Sequence, residues 1–199
     1  MPQLSMPALL ALLTFAFVMS ITPGPNNIML WVSGANFGLR RSLPHLFGIV
    51  LGFASLVILC ALGLGMLFEA FPMFQSGLRV VGVLYLLYLA YRLASASLSA
   101  EDTLAQPLNF VEAAGFQYAN PKGWMMALSA TSSFVLIEVS LLANAVAVAS
   151  VFAVVGLPSL LTWALFGSLL ARFLKQPRVQ KAFNMLMAGL LVATVMFMV

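Results

Sequence analysis

The sequence predicts an all-α integral membrane protein of six transmembrane helices in two inverted three-helix halves, the first helix of each half broken by proline. Three observations carry that prediction. Of the 199 residues, 63% are hydrophobic and only 7% charged, where soluble domains carry about 25% charge. The few charges leave uncharged stretches at 1–39, 42–68, 123–137, 139–171 and 182–199. Such stretches suit helices, because a bilayer core offers no water to an unpaired backbone group and a barrel needs ten-residue alternating strands instead. Finally, the polar segment 95–109 (SASLSAEDTLAQPLN) divides three apolar spans from three, and an odd number forces homologous halves to insert in opposite orientations. A nucleic-acid binder, a soluble enzyme and a disordered linker are excluded.

At about 20 residues per crossing, the spans fall near 6–33, 43–68, 77–93, 113–135, 142–170 and 182–198. The first follows a start, Met1 to Ser5, that lacks Lys and Arg, so it is expected to be a retained helix rather than a cleaved signal. Gly34 and Gly38, and Gly48 and Gly52 in the second span, are spaced to give small faces for close helix packing. The third span starts indistinctly at Gln75, Ser76 and Arg79, and its Arg92 must snorkel. Gly156 and Pro158 predict a kink in the fifth. The chain is thus one membrane domain, 1–199, with halves 1–95 and 108–199 joined by a cytoplasmic loop 96–107. With both termini outside, the inner loops hold Arg40, Arg41, Arg92, Arg172, Lys175, Arg178 and Lys181 and the outer loops only Arg79, as the positive-inside rule requires. Trp31, Trp124 and Trp163 are interface anchors or space fillers, and Cys60, the single cysteine, is a small buried apolar residue without a disulfide partner.

The chemistry concentrates at two breaks. Thr22-Pro23-Gly24-Pro25-Asn26-Asn27 interrupts the first span, and Asn120-Pro121-Lys122-Gly123 interrupts the fourth. A proline deprives the carbonyl four residues back of its donor, so Met19, Ile21 and Gln117 are expected to have free carbonyls. Each break then restarts a helix, through Gly24 and Pro25 or through Asn120 as N-cap and Pro121 at the first helical position. Two half-helix N-termini near midplane concentrate positive potential where an anionic group binds. Lys122 adds a full charge, has no carboxylate one turn away, and costs about 3 kcal/mol to insert. Its functional reading stands against two bland ones, snorkelling to the interface and capping carbonyls of another helix. Asn26 and Asn27 face either the pathway or a helix interface.

Pro23-Gly24-Pro25-Asn26, Gly48 and Gly52, and Asn120-Pro121-Lys122 together resemble the signature of the LysE/RhtB family of bacterial amino-acid exporters, and the resemblance covers essentially the whole chain. It implies a multi-pass inner-membrane secondary transporter that exports amino acids or close derivatives by proton antiport. The stretches ITPGPNNIML and FGLRRSLPHLFGIVLGF are most similar to the branch that includes cysteine and O-acetylserine exporters.

From the residues, a zwitterion's carboxylate would face Lys122 and the half-helix amides, and its ammonium the carbonyls freed by the prolines. No Asp or Glu lies within a span to hold a cation, so a neutral amino acid is expected. The substrate pathway comprises Pro23, Gly24, Pro25, Asn26, Asn27, Asn120, Pro121 and Lys122, while Gly48 and Gly52 pack helices. The implied partners are a small amino acid, a proton and the bilayer, with no cofactor, metal or nucleic acid; a homo-oligomer is open. The proton carrier is not identified: Glu69, Glu112 and Glu138 read as interface residues, Lys122 itself is a candidate, and His45 reads as an interfacial side chain. Export of a divalent metal or another small solute, and a non-transporting scaffold, are the competing readings.

Overall fold

The computed structural model describes residues 6–64, 66, 70–95, 106–134, 140–174 and 176–196. Its described residues form eight α-helices and no strand: α1 (Met6–Ile21), α2 (Pro25–Phe37), α3 (Leu39–Leu59, ending in a π turn, Cys60–Leu64), α4 (Pro72–Ala94), α5 (Phe110–Ala119), α6 (Pro121–Ser133), α7 (Leu141–Leu170) and α8 (Pro177–Met196). Four helices are long and apolar enough to cross a membrane, and α1 with α2, bent by 55° at the Thr22–Gly24 break, makes a fifth span if the pair is counted as one. The expected fourth span is present as two short helices, α5 and α6, separated at Asn120. The third is longer than expected, since α4 begins at Pro72 and takes in Gln75, Ser76 and Arg79. Glu69, Glu138, Lys175 and most of the central loop, 96–105, lie outside the described residues.

Prolines start these helices for a common reason. Pro25, Pro72 and Pro121 occupy first-turn positions, where a missing amide costs nothing and φ is already set. Inside α7, Pro158 is carried without interruption of the helix. Large apolar side chains such as Leu10, Phe17, Val81, Leu84, Val154 and Leu186 are exposed, as a surface solvated by lipid requires.

Helix association in lipid depends on close backbone packing, since tails are as apolar as leucine, and glycines provide it at three crossings. A Cβ on Gly34 would collide with the Ala164 carbonyl of α7, and one on Gly167 with the Trp31 carbonyl of α2. Gly48 lies against the Phe110 carbonyl and Gly52 lies 2.6 Å, measured from its would-be Cβ, from Ala114 Cα, so both seat α3 on α5. Gly82 of α4 meets the Ala119 carbonyl in the same way.

Gly38 departs from its expected packing role. Nothing lies within 4 Å of its would-be Cβ, and it joins α2 to α3 at φ 78° and ψ 163°, a conformation essentially confined to glycine. Gly38→Ala is therefore expected to lose about 1–3 kcal/mol of stability, read as a lower thermal midpoint in detergent; an unchanged midpoint would show that the turn relaxes.

The loops bearing the basic residues gather at one end. Gln180 Nε2 at the start of α8 donates to Asn36 Oδ1 at the end of α2 (3.2 Å), and Arg92 near the end of α4 shares a cavity with Phe37 and Leu108.

Candidate functional site

The two breaks meet. Gly24 to Asn27 and Asn120, Lys122 and Gly123 line one cavity of about 50 Å³, closed by Ser20 of α1, Ile49, Val50 and Phe53 of α3, Gln117 of α5 and Phe152, Gly156 and Leu160 of α7. Its volume is room for a few waters. Among the described residues no acidic side chain lines it.

Lys122 reaches across the break of the other half. Its Nζ donates to the Thr22 carbonyl (2.8 Å), Thr22 Oγ1 (3.0 Å) and the Pro23 carbonyl (3.5 Å). The ammonium thus caps the C-terminal end of α1, where the helix dipole is negative, and does not snorkel to an interface. Gly24 makes the approach possible: a Cβ there would lie 2.9 Å from Lys122 Cδ and 3.2 Å from Nζ. Asn120 is the N-cap of α6, its Oδ1 accepting from the Lys122 amide (3.2 Å), with Pro121 next. Gly24 and Pro25 open α2 in the corresponding way.

The two asparagines divide their work. Asn27 is buried and donates Nδ2 to the carbonyls of Ser20 (2.9 Å) and Thr22 (2.7 Å), closing its own break. Asn26 faces α5, where its amide and that of Gln117 form a reciprocal pair, Asn26 Nδ2 to Gln117 Oε1 at 2.8 Å and Gln117 Nε2 to Asn26 Oδ1 at 3.1 Å. Gln117 Nε2 also donates to the Ala113 carbonyl (2.9 Å), and the residue is fully buried. Gln117 was not among the side chains singled out from sequence, though it is a lone amide in an apolar stretch three residues before Asn120.

The carbonyls expected to be free are occupied. Met19 accepts Thr22 Oγ1 (3.2 Å), Ile21 accepts Trp163 Nε1 (3.1 Å) and Gln117 accepts the Asn120 amide (3.3 Å). A buried carbonyl without a donor is costly, and the fold supplies donors where proline removed them. They are therefore not spare acceptors for a substrate ammonium. The indoles likewise act as local donors: Trp124 Nε1 binds the Tyr118 carbonyl (2.8 Å).

Outside this cavity, Glu112 is exposed and closes a capping box with Asn109 at the start of α5. Cys60 is buried among apolar side chains. His45 is not interfacial: it is 1% exposed and lines a second cavity.

The Asn26–Gln117 pair predicts a measurable coupling. Asn26→Ala strands the oxygen of the fully buried Gln117 amide and Gln117→Ala the half-buried Asn26 amide, at up to about 1–3 kcal/mol, and the double variant strands neither. Thermal unfolding of Asn26→Ala, Gln117→Ala and the double variant is expected to be non-additive by about 1–2 kcal/mol; additive losses would mean that the pair does not form.

Across residues 17–199 the sequence matches the family model for the LysE type translocator. The chain belongs to the LysE translocator family. It is similar to the cysteine/O-acetylserine efflux proteins of Klebsiella pneumoniae (34% identity over 183 residues, 92% of each chain) and of Escherichia coli (31% over 182 residues, 90% of this chain and 91% of the relative). That of Salmonella typhimurium is 32% identical over the same lengths. No solved structure matches significantly. As a LysE-type translocator the protein is a membrane transporter and not an enzyme, a multi-pass protein of the bacterial inner membrane.

Proposed function

We propose that this LysE-type translocator exports a small neutral amino acid or derivative, of the cysteine or O-acetylserine kind named for its relatives, in exchange for a proton, through the cavity at the two breaks. One observation carries the site: Lys122, a cation with no carboxylate among the described residues lining its cavity, spans from one break to the other. An amino-acid carboxylate takes the ammonium from the Thr22 and Pro23 carbonyls, exchanging neutral acceptors for a charged one, which binds about twice as strongly. The substrate ammonium then finds the Thr22 and Pro23 carbonyls that Lys122 releases. A cationic side chain would add charge beside Lys122 with no acid to offset it, which favours a neutral substrate. Pro23, Gly24, Pro25, Asn27, Asn120 and Pro121 shape the walls.

In this reading α5 and α6 together make the sixth span, and the halves 1–95 and 108–199 are inverted repeats joined by a cytoplasmic loop. Exchanging α1 to α4 for α5 to α8 turns the α1–α7 packing into α5–α3 and the α2–α7 packing into α6–α3, and all four pairs are in contact. The gathering of basic residues at one end supports that end as cytoplasmic, in keeping with both termini outside.

The test is uptake of a labelled amino-acid panel into proteoliposomes of the purified protein, with and without a pH gradient. Gradient-dependent movement of cysteine, O-acetylserine or similar neutral solutes is expected. A preference for lysine would overturn the neutral-substrate reading, indifference to the gradient would overturn antiport, and no amino-acid flux from folded protein would overturn both.

A further inference from the structure

A second cavity, of about 60 Å³, lies along the same two helices toward the basic end. Met29, Val32, Ser33 and Phe37 of α2, His45 of α3, Leu89 and Arg92 of α4 and the segment Gln106 to Leu108 line it. The central cavity uses Asn26 and Asn27 of α2 and Ile49 and Val50 of α3, so His45 sits one helical turn, about 6 Å, beyond it. Leu30 of α2 and Leu46 and Ile49 of α3 pack in one apolar cluster, each at most 3% exposed.

His45 is buried, and neither ring nitrogen has a hydrogen-bond partner among the described residues. The nearby hydroxyls do not serve it: Ser33 and Ser42 pair with each other at 2.8 Å, and Ser42 donates to the Gly38 carbonyl. An unpaired buried imidazole is costly, and such a group in a folded protein calls for a reason. An ionisable side chain within a span is by default functional, and imidazole is the one whose ordinary charge change falls between about pH 5 and 8.

We propose that the second cavity is the proton site of the transport cycle and that His45 carries the proton. This rests on the antiport reading above. His45 takes up one proton arriving by way of the emptied central cavity and releases it toward the basic end. The surrounding charges give that proton mechanical consequence. Arg92 on α4 lines the cavity, and Arg41, one turn before His45 on α3, lies over the Phe37 ring at 5.7 Å. Helices α2 and α7 carry no charged side chain, Glu112 of α5 is turned to its Asn109 cap, and Arg178 and Lys181 of α8 lie at its basic start. Protonation therefore sets a cation beside Arg92 on the cavity wall, one turn from Arg41, with no acid among the described lining residues, and repulsion between α3 and α4 opens the cavity. Release of the proton lets it close.

The experiment compares gradient-driven accumulation with exchange of labelled for unlabelled cysteine in the absence of a gradient. His45→Gln is expected to lose accumulation at least about tenfold while still exchanging substrate, a split that a merely structural defect would not produce. Gradient-driven accumulation equal to wild type in His45→Gln would overturn the proposal. A wild type indifferent to the gradient would overturn the antiport reading first, before any variant is made. Should the variant not fold, the wild type decides: His45 is the only histidine, so 15N-histidine labelling of full-length protein, purified without a histidine tag and placed in nanodiscs, gives one imidazole signal. Its protonation is expected to change with pH in the folded protein, with a midpoint moved by added cysteine. A signal that stays neutral and ignores substrate would overturn the proposal.

Discussion

Lys122→Met is expected to lower amino-acid flux in proteoliposomes by about 100-fold or more while the protein stays folded. The ammonium makes three contacts across the break of the other half, and a hydrogen bond from a charged donor is worth about 1.5–3 kcal/mol net. Losing one such interaction at the rate-limiting step already gives about 10- to 100-fold. Methionine keeps the chain's length and apolar stem, so the loss isolates the charge. Lys122→Arg is not expected to rescue, because a planar guanidinium does not reproduce the three contacts that one compact ammonium makes with Thr22 and Pro23. Flux within threefold of wild type for Lys122→Met would move the substrate to another part of the protein and leave Lys122 as a helix cap only.

Gly34→Val and Gly167→Val are expected to be the most damaging substitutions for stability. Each Cβ would enter a backbone carbonyl of the facing helix, Ala164 for Gly34 and Trp31 for Gly167, and neither carbonyl can rotate aside as a side chain would. Separating α2 from α7 would also pull Trp31 from Trp163 and Phe166, whose ring centroids lie 5.8 and 5.4 Å from it, and Trp163 from the Ile21 carbonyl it caps. A cost of about 3 kcal/mol each corresponds to about 6–12 °C in Tm for a chain of this size. Gly189→Ala, with nothing within 4 Å of the added carbon, is the control and is expected to change little. Equal effects at Gly34 and Gly189 would mean that the α2–α7 crossing is looser than the structure has it.

Much of this was legible in residue types. Pro23, Pro25 and Pro121 marked the breaks because a missing amide acts locally, and Asn120 announced an N-cap for the same reason. Gly48 and Gly52 announced a close crossing through their spacing, and Lys122 stood out because an unpaired cation is costly wherever its span ends up. The freed carbonyls were misjudged because their replacement donors come from rotamers and neighbours that proline chemistry does not specify: Thr22 and Asn120 locally, Trp163 from 142 residues away. Gly38 shares a spacing with Gly34 yet serves a turn, a difference held in φ.

The sequence by itself determined that the protein lives in a membrane, where its helices run and where two of them break, since those follow from transfer free energies and backbone sterics carried by single residues. Only the tertiary structure decided that Lys122 meets Thr22 across 100 positions, that Asn26 pairs with Gln117 across 91, and that His45 is buried with no hydrogen-bond partner among the described residues. Hydropathy says how strongly a segment avoids water but not which neighbour it meets. That is set by how closely glycine lets each pair of backbones approach, and a donor and acceptor come within 3 Å only after the helices have packed.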